Sequence, residues 1–357
     1  MTTMADAGPD PLTSPRPRAA TGSGHLLRAE LGRLRRRRLV GALLAVGALA
    51  LLASLTAVYF THSQDIANAR AKAQVQAQRD FAQQKEFRDQ CLADPNISDD
   101  DKTAGACGPS EPDASIYFSD PRLHADDGLP IISIAVAVAG ALLMALVGAT
   151  AVGADWASRA IVTLITWEPR RLRLYGTRLL AVAILAAVVG VVTQAVGLGL
   201  GALAVSQRGT WDPREPSQFG DPALIHQAHF WRDLLSLQGR GVLLVVLTAV
   251  LAAAVTMLAR HTAALLGLMF AWFVLAENAV RILFGDRGWP RWLLSNNVIA
   301  FLKPGGLAMV VGTERQPDGG VLQRTVLVSN LDALAYLGIL TAVFVVLAGA
   351  LLRRRDL

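Results

Sequence analysis

Few side chains in this 357-residue sequence are placed for chemistry, and most of them sit at the edges of long apolar runs. Glu277 and Arg281 lie four apart inside one such run, an acid-then-base order that puts an ion pair on one helix face. Charge in an apolar medium is costly, so the pair reads either as structural, with Arg281 reaching for an interface, or as part of a substrate path. Cys91 and Cys107 are the only cysteines, in a polar segment with Asp-Pro-Asn and Gly-Pro turn signals. In an oxidising compartment they would pair, closing a loop of about fifteen residues for about 3 kcal/mol; the alternative is two reduced thiols. His226 and His229 have the spacing of two metal ligands on one helical turn, but no third ligand accompanies them, so no metal site is expected.

The densest charge lies between Asp155 and Arg178, where Arg159, Arg170, Arg171, Arg173 and Arg178 flank Thr163, Thr166 and Pro169. Each arginine would cost about 2.5–3.5 kcal/mol at the centre of a bilayer, so this stretch stays out of the hydrocarbon. Ile161, Leu164 and Ile165 follow helical spacing between Trp156 and Trp167, which reads as a short amphipathic helix along the inner membrane face. Pro169 ends it, and the basic run that follows can grip an acidic partner or anionic lipid.

The elements that must position these residues are apolar. Hydrophobic residues make up 53% of the chain and charged residues 17%, the balance of a membrane protein. Six stretches reach the length of about twenty residues that a helix needs to cross the bilayer. They cover residues 39–60, 129–154, 179–205, 241–259, 263–284 and 331–352, giving an all-α integral membrane protein. Span three exceeds the hydrocarbon thickness and must tilt or project. Its Gly197, Gly199 and Gly201 permit close helix approach, within the chain or to a second copy.

Between the spans, residues 1–24 lack the large apolar groups needed to fold and read as a disordered tail. Residues 25–38 form a basic amphipathic segment, with Leu26, Leu27, Leu31 and Leu34 expected on one face against the inner leaflet. The apolar run after it is too long for a signal-peptide core. Residues 61–128 are acidic on balance and suit the outer side; their first half is rich in helix formers, with Ala71, Val75 and Ala82 expected on one face. Residues 155–178 are placed inside, 206–240 form an outer loop, and 285–330 an outer segment. In that segment Gly288 to Gly306 holds an apolar piece too short to cross, a re-entrant or interfacial half-helix if protein covers its ends. Residues 353–357 carry three arginines, which with an even number of spans puts both termini in the cytoplasm. The net charge of +6 gathers at span ends without interleaved aromatics, so no nucleic-acid surface is expected. Arginine far outnumbers lysine and alanine is abundant, a composition of GC-rich bacteria, which places the chain in a bacterial inner membrane.

The chain resembles the permease subunits of ATP-binding-cassette transporters of the ABC-2 type. The layout carries the resemblance over nearly the whole length. At motif level it rests on Glu30 before the arginine run, on Asp155, Thr163-Leu164-Ile165-Thr166, Pro169-Arg170-Arg171 and Arg178 in the central loop, and on the terminal Arg-Arg-Arg-Asp-Leu. Arg159-Ala160 stands where the family has Gly-Thr, and Asp155 and Arg178 keep the charge of the usual residues with a different reach. The resemblance implies that the central loop is a coupling helix docking on a cytoplasmic ATP-binding subunit, through Asp155, Arg159, Thr163, Thr166, Pro169, Arg170 and Arg171. It also implies a second permease, identical or different. No Gly-x-x-x-x-Gly-Lys-Ser/Thr loop occurs, so ATP and Mg would sit on the partner and this chain holds no cofactor of its own. Neither His-Glu-x-x-His nor Gly-x-Ser-x-Gly occurs, and the spans lack paired acids or histidines for acid–base work; enzyme activity is not expected. The Ala, Leu and Val-rich walls favour a hydrophobic or amphiphilic cargo, exported by family analogy. The competing reading is a non-transporting scaffold or sensor that uses the outer segment.

Overall fold

The computed structural model describes residues 23–98, 106–107, 111–158, 171–212, 229–284, 289–315 and 321–354. Helix α1 (Ser23–Arg36) is followed after a single residue by α2 (Arg38–Thr61), the first span. Helix α3 (Ile66–Ala93) comes next, then α4 (Ala125–Ala157) and α5 (Arg171–Arg208), which border the central loop. Helix α6 (Phe230–Ala259) turns tightly at Arg260 into α7 (Thr262–Phe270), which continues through a π-helical turn (Ala271–Ala276) into α8 (Glu277–Phe284). Short helix α9 (Leu294–Leu302), a hairpin of β3 (Leu307–Arg315) and β4 (Val321–Val328), and α10 (Asn330–Arg354) complete the chain.

Among the described residues six helical stretches are long and apolar enough to cross a membrane: α2, α4, α5, α6, the α7–α8 unit and α10. Their burial differs. Helices α4 and α6 make the most extensive pair and form the centre with α5 and α10. The first span and the α7–α8 unit lie outside, with little of their surface covered. The centre can be tight because its contact residues are small: Ala137, Ala149, Ala181, Ala186, Ala249 and Ala253 are completely buried. Gly148 on α4 faces the backbone carbonyl of Ala249 on α6 so closely that a Cβ there would collide with it. Where lipid removes the hydrophobic drive between helices, this backbone approach lets van der Waals packing hold them together.

Polar groups inside this centre are matched to backbone. Gln194 donates from Nε2 to the Ser133 carbonyl at 3.3 Å, Gln238 donates to Ser133 Oγ at 2.8 Å, and Ser133 Oγ donates to Leu129 at 2.8 Å. The three spans α4, α5 and α6 thus share one polar node. At the end of the bundle away from the central loop, β1 (Leu123–His124) and β2 (Gly209–Thr210) pair in parallel and tie the start of α4 to the end of α5. Tyr59 adds α2 by donating to Gln207 at 2.9 Å.

The structure departs from the sequence expectations at several places. Three of the four α1 leucines face protein instead of a leaflet: Leu34 is buried, and Leu27 and Leu31 rest on the protein core. His62–Asp65 separate α2 from α3, and Asp65 caps α3 by accepting from the Asn68 N–H at 2.9 Å. The covered stripe of α3 is Ala73 and Ala77, while Val75 is 47% exposed. Chain returning from the tip sets that face, with Phe118 beneath Arg70 and Tyr117 hydrogen-bonded to Asp80. The fourth span starts at Phe230, eleven residues before the expected 241, and the hairpin inside 285–330 is a feature the sequence reading did not include.

Candidate functional site: the charge cluster at the stems of the central loop

Of the residues proposed for the central loop, Arg159, Thr163, Thr166, Pro169 and Arg170 fall outside the described residues. The stems of the loop are described. Asp155 stands on the last turn of α4, Arg171 opens α5, and Arg178 lies two turns into it.

Asp155 does not present its carboxylate to the exterior. Its side chain is 4% exposed and receives three guanidinium groups. Arg178 Nη2 meets Asp155 Oδ2 at 2.6 Å, Arg33 Nη2 donates to Oδ1 at 2.8 Å, and Arg37 Nη2 donates to Oδ1 as well. Arg37 also donates through Nη1 to the carbonyls of Thr150 and Ala151 at 3.1 and 2.8 Å, two turns before the end of α4. Glu30 completes the group, 3.6 Å from Arg33 and 3.5 Å from Arg178. Glu30 and Arg33 share one face of α1, three apart, and Arg37, the residue that links α1 to α2, follows four further on. The cluster therefore joins α1 to both stems of the loop. Cations at the carboxyl end of α4 also meet the negative end of its dipole.

The neighbouring residue points elsewhere. Trp156 donates from Nε1 to Met257 Sδ at 3.3 Å and lies under Arg260 with the guanidinium 4.7 Å from the ring centre. Arg260 sits at φ 57°, the left-handed conformation that lets α6 turn straight into α7. Through Asp155 and Trp156 the end of α4 is fastened to α1 and α5 on one side and to the α6–α7 turn on the other.

At the opposite end of the bundle, Glu277 and Arg281 come within 3.9 Å, with Glu277 buried and Arg281 half exposed. Glu277 Oε1 accepts the Ser295 N–H at 3.0 Å, while Arg281 donates to Ser295 Oγ at 2.7 Å and Asn296 Oδ1 at 3.1 Å. An anion beside the first amides of α9 supplies the acceptor that its Leu293 cap lacks. Asn330 covers the other end, donating to the carbonyls of Ala300, Phe301 and Lys303 at 2.6, 3.2 and 2.8 Å.

Cys91 and Cys107 are joined by a disulfide, with Cα atoms 5.5 Å apart, at the distal end of α3. His226 falls outside the described residues and His229 precedes α6. No three His, Cys, Asp or Glu side chains among the described residues gather where a metal ion could sit. The sequence reading passed over Arg33, Arg37 and the Trp156–Arg260 contact. A lone acid at the end of an apolar run, with cations on one face of a nearby helix, was the signal for the first two.

The fold thus defines a multi-pass α-helical membrane protein. No protein-family model matches the chain, and no curated protein matches it.

Proposed function

We propose that this chain is the membrane-spanning permease subunit of an ATP-binding-cassette transporter of the ABC-2 type, driven by a separate ATP-binding subunit and working beside a second permease, identical or different. The observation that supports the reading is the charge cluster that fastens α1 to both stems of the 159–170 loop. A loop that receives force from a soluble subunit must pass it on rather than fold under it. A loop anchored through Asp155 and Arg178 delivers displacement to α1, α4 and α5 together. ATP hydrolysis and Mg binding belong to the partner in this reading, and Arg170 and Arg171 face its acidic surface. Asp155 acts from within as a positioning residue. Both termini lie in the cytoplasm of a bacterial cell, α9 is the outer re-entrant piece, and the cargo is hydrophobic or amphiphilic and moves outward.

The test is co-purification from the native membrane, with wild type and Arg170→Glu/Arg171→Glu compared at equal expression and bound proteins identified by mass spectrometry. An ATPase subunit held by wild type and lost by the variant is the expected result. No ATPase with wild type after cross-linking would overturn the reading. A second reading, a scaffold or sensor without transport, draws on α3, whose 28 residues extend about 42 Å with a disulfide at the tip. In that case deleting residues 61–128 abolishes function while charge reversal at the loop does not.

A further inference from the structure

The outward face of α1 carries a feature that transport does not explain. Two rows run side by side along it at four-residue spacing: Arg28, Gly32 and Arg36 in one, Ala29, Arg33 and Arg37 in the other. Small residues in the middle and arginines around them leave a shallow groove of about 660 Å³, lined by these six residues alone. A Cβ built on Gly32 meets nothing within 4 Å, so the floor is open because glycine occupies it.

The charges do not balance. Arg33, Arg37 and Arg178 share the two carboxylates of Glu30 and Asp155, which leaves one positive charge inside the cluster. Arg28 and Arg36 on the groove rim are exposed and make no ion pair among the described residues. The groove and the cluster behind it thus carry an excess of about three positive charges, the complement of a phosphate, whose oxygens accept several guanidinium hydrogen bonds at once.

Its position selects the source. Helix α1 passes into the first span after Arg37 alone, so the groove opens where that span leaves the hydrocarbon, at headgroup level. Leu27, Leu31 and Leu34 of α1 are turned to the protein, which leaves the Arg28 and Arg36 side for the membrane surface. We infer that this groove is a binding site for the phosphate headgroup of an anionic phospholipid, seated on Gly32 and held by Arg28, Arg33, Arg36 and Arg37. A lipid there neutralises the surplus charge of the cluster and holds α1 against α4 and α5. The inference rests on the membrane-spanning fold and not on the transport reading.

The test uses the full chain, purified in detergent, with phosphatidylglycerol or phosphatidylcholine added and read by native mass spectrometry and thermal stability. Wild type should retain phosphatidylglycerol and melt higher with it, but not with phosphatidylcholine. Arg28→Gln/Arg36→Gln should bind roughly thirtyfold more weakly. The decisive variant is Gly32→Leu, which fills the groove, keeps every charge and improves helix propensity. It should lose the bound lipid and the lipid-dependent stabilisation, whereas Arg353→Gln/Arg354→Gln, with the same charge removed elsewhere, should keep both. Undiminished binding by Gly32→Leu would reduce the effect to diffuse attraction and overturn the site. Inorganic phosphate giving the same stabilisation at matched concentration would overturn the lipid as its source. Gly32→Leu that binds lipid normally but loses a co-purifying protein would assign the groove to that protein instead.

Discussion

Asp155 and Arg178 meet at 2.6 Å across the mouth of the central loop, one at the end of α4 and the other two turns into α5. Both side chains are almost fully buried, so each is the other's main compensation for leaving water. The contact closes the loop at its base, and α1 is fastened to the same point through Arg33 and Arg37.

Removing Asp155 should therefore cost more than one hydrogen bond. Asp155→Ala leaves Arg178 buried without its anion, a loss of about 3–5 kcal/mol. The melting temperature of the detergent-solubilised protein should fall clearly, while Arg35→Ala, with an exposed side chain at that same end of α1, should leave it unchanged. Equal melting of Asp155→Ala and wild type would show that the cluster carries no net stability.

Glu277 and Arg281 should separate cleanly. Glu277→Ala removes the acceptor for Ser295 N–H and leaves Arg281 its other partners, costing about 1–3 kcal/mol locally. Hydrogen exchange over 294–302 should rise in Glu277→Ala and change little in Arg281→Ala. The opposite order would give the pair's importance to the arginine.

Two glycines should respond in opposite directions. Gly148→Ala drives a methyl group into the Ala249 carbonyl and should push α4 and α6 apart, lowering stability and yield. Gly176 sits in α5 with open space around it, so Gly176→Ala should stabilise by about 0.4–1 kcal/mol. Parallel thermal melts decide both.

The segment around Asp120 should resist acid. Arg122 donates to Asp120, with Nη2 to Oδ2 at 2.7 Å, and together with His124 outweighs partial burial to hold the Asp120 carboxyl well below the usual carboxylate range. A depressed folded pKa adds stability that is complete above the unfolded value of about 3.9 and lost only as pH falls through the lower folded value. Hydrogen exchange over 111–124 should stay slow at pH 4 in wild type. Asp120→Asn should exchange faster at neutral pH and show little further change on acidification.

The distal end of α3 should contain no accessible thiol. Unreduced protein should take up no maleimide at Cys91 or Cys107 and two equivalents after reduction and unfolding. Cys91→Ser/Cys107→Ser should make the chain beyond Ala93 markedly more sensitive to protease.

The spans were legible because hydrocarbon thickness imposes a minimum run of apolar residues, and nothing else in the chain imitates one. What escaped the sequence was pairing over distance. Arg37 and Asp155 are separated by 118 positions, and no local pattern states that they touch. The α3 stripe was misplaced by about half a turn because Val75 looked the natural core residue, yet the narrow strip beneath the returning chain admits only Ala73 and Ala77. The hairpin is a different case. Val310, Val311, Thr325 and Val326 are strand formers, and Asp318-Gly319 between the strands is a turn signal. The apolar piece ahead of it drew the reading toward a half-helix for the whole segment.

Helix α9 has one end held from α8, through Glu277, and the other from α10, through Asn330. It is a strut of nine residues, about 14 Å, set between the fifth and sixth spans. The spans cannot drift apart at this end by small degrees, since the first separation must strip the caps from one terminus of the strut. The gap between them is therefore quantised: it keeps the strut's length or it loses the strut.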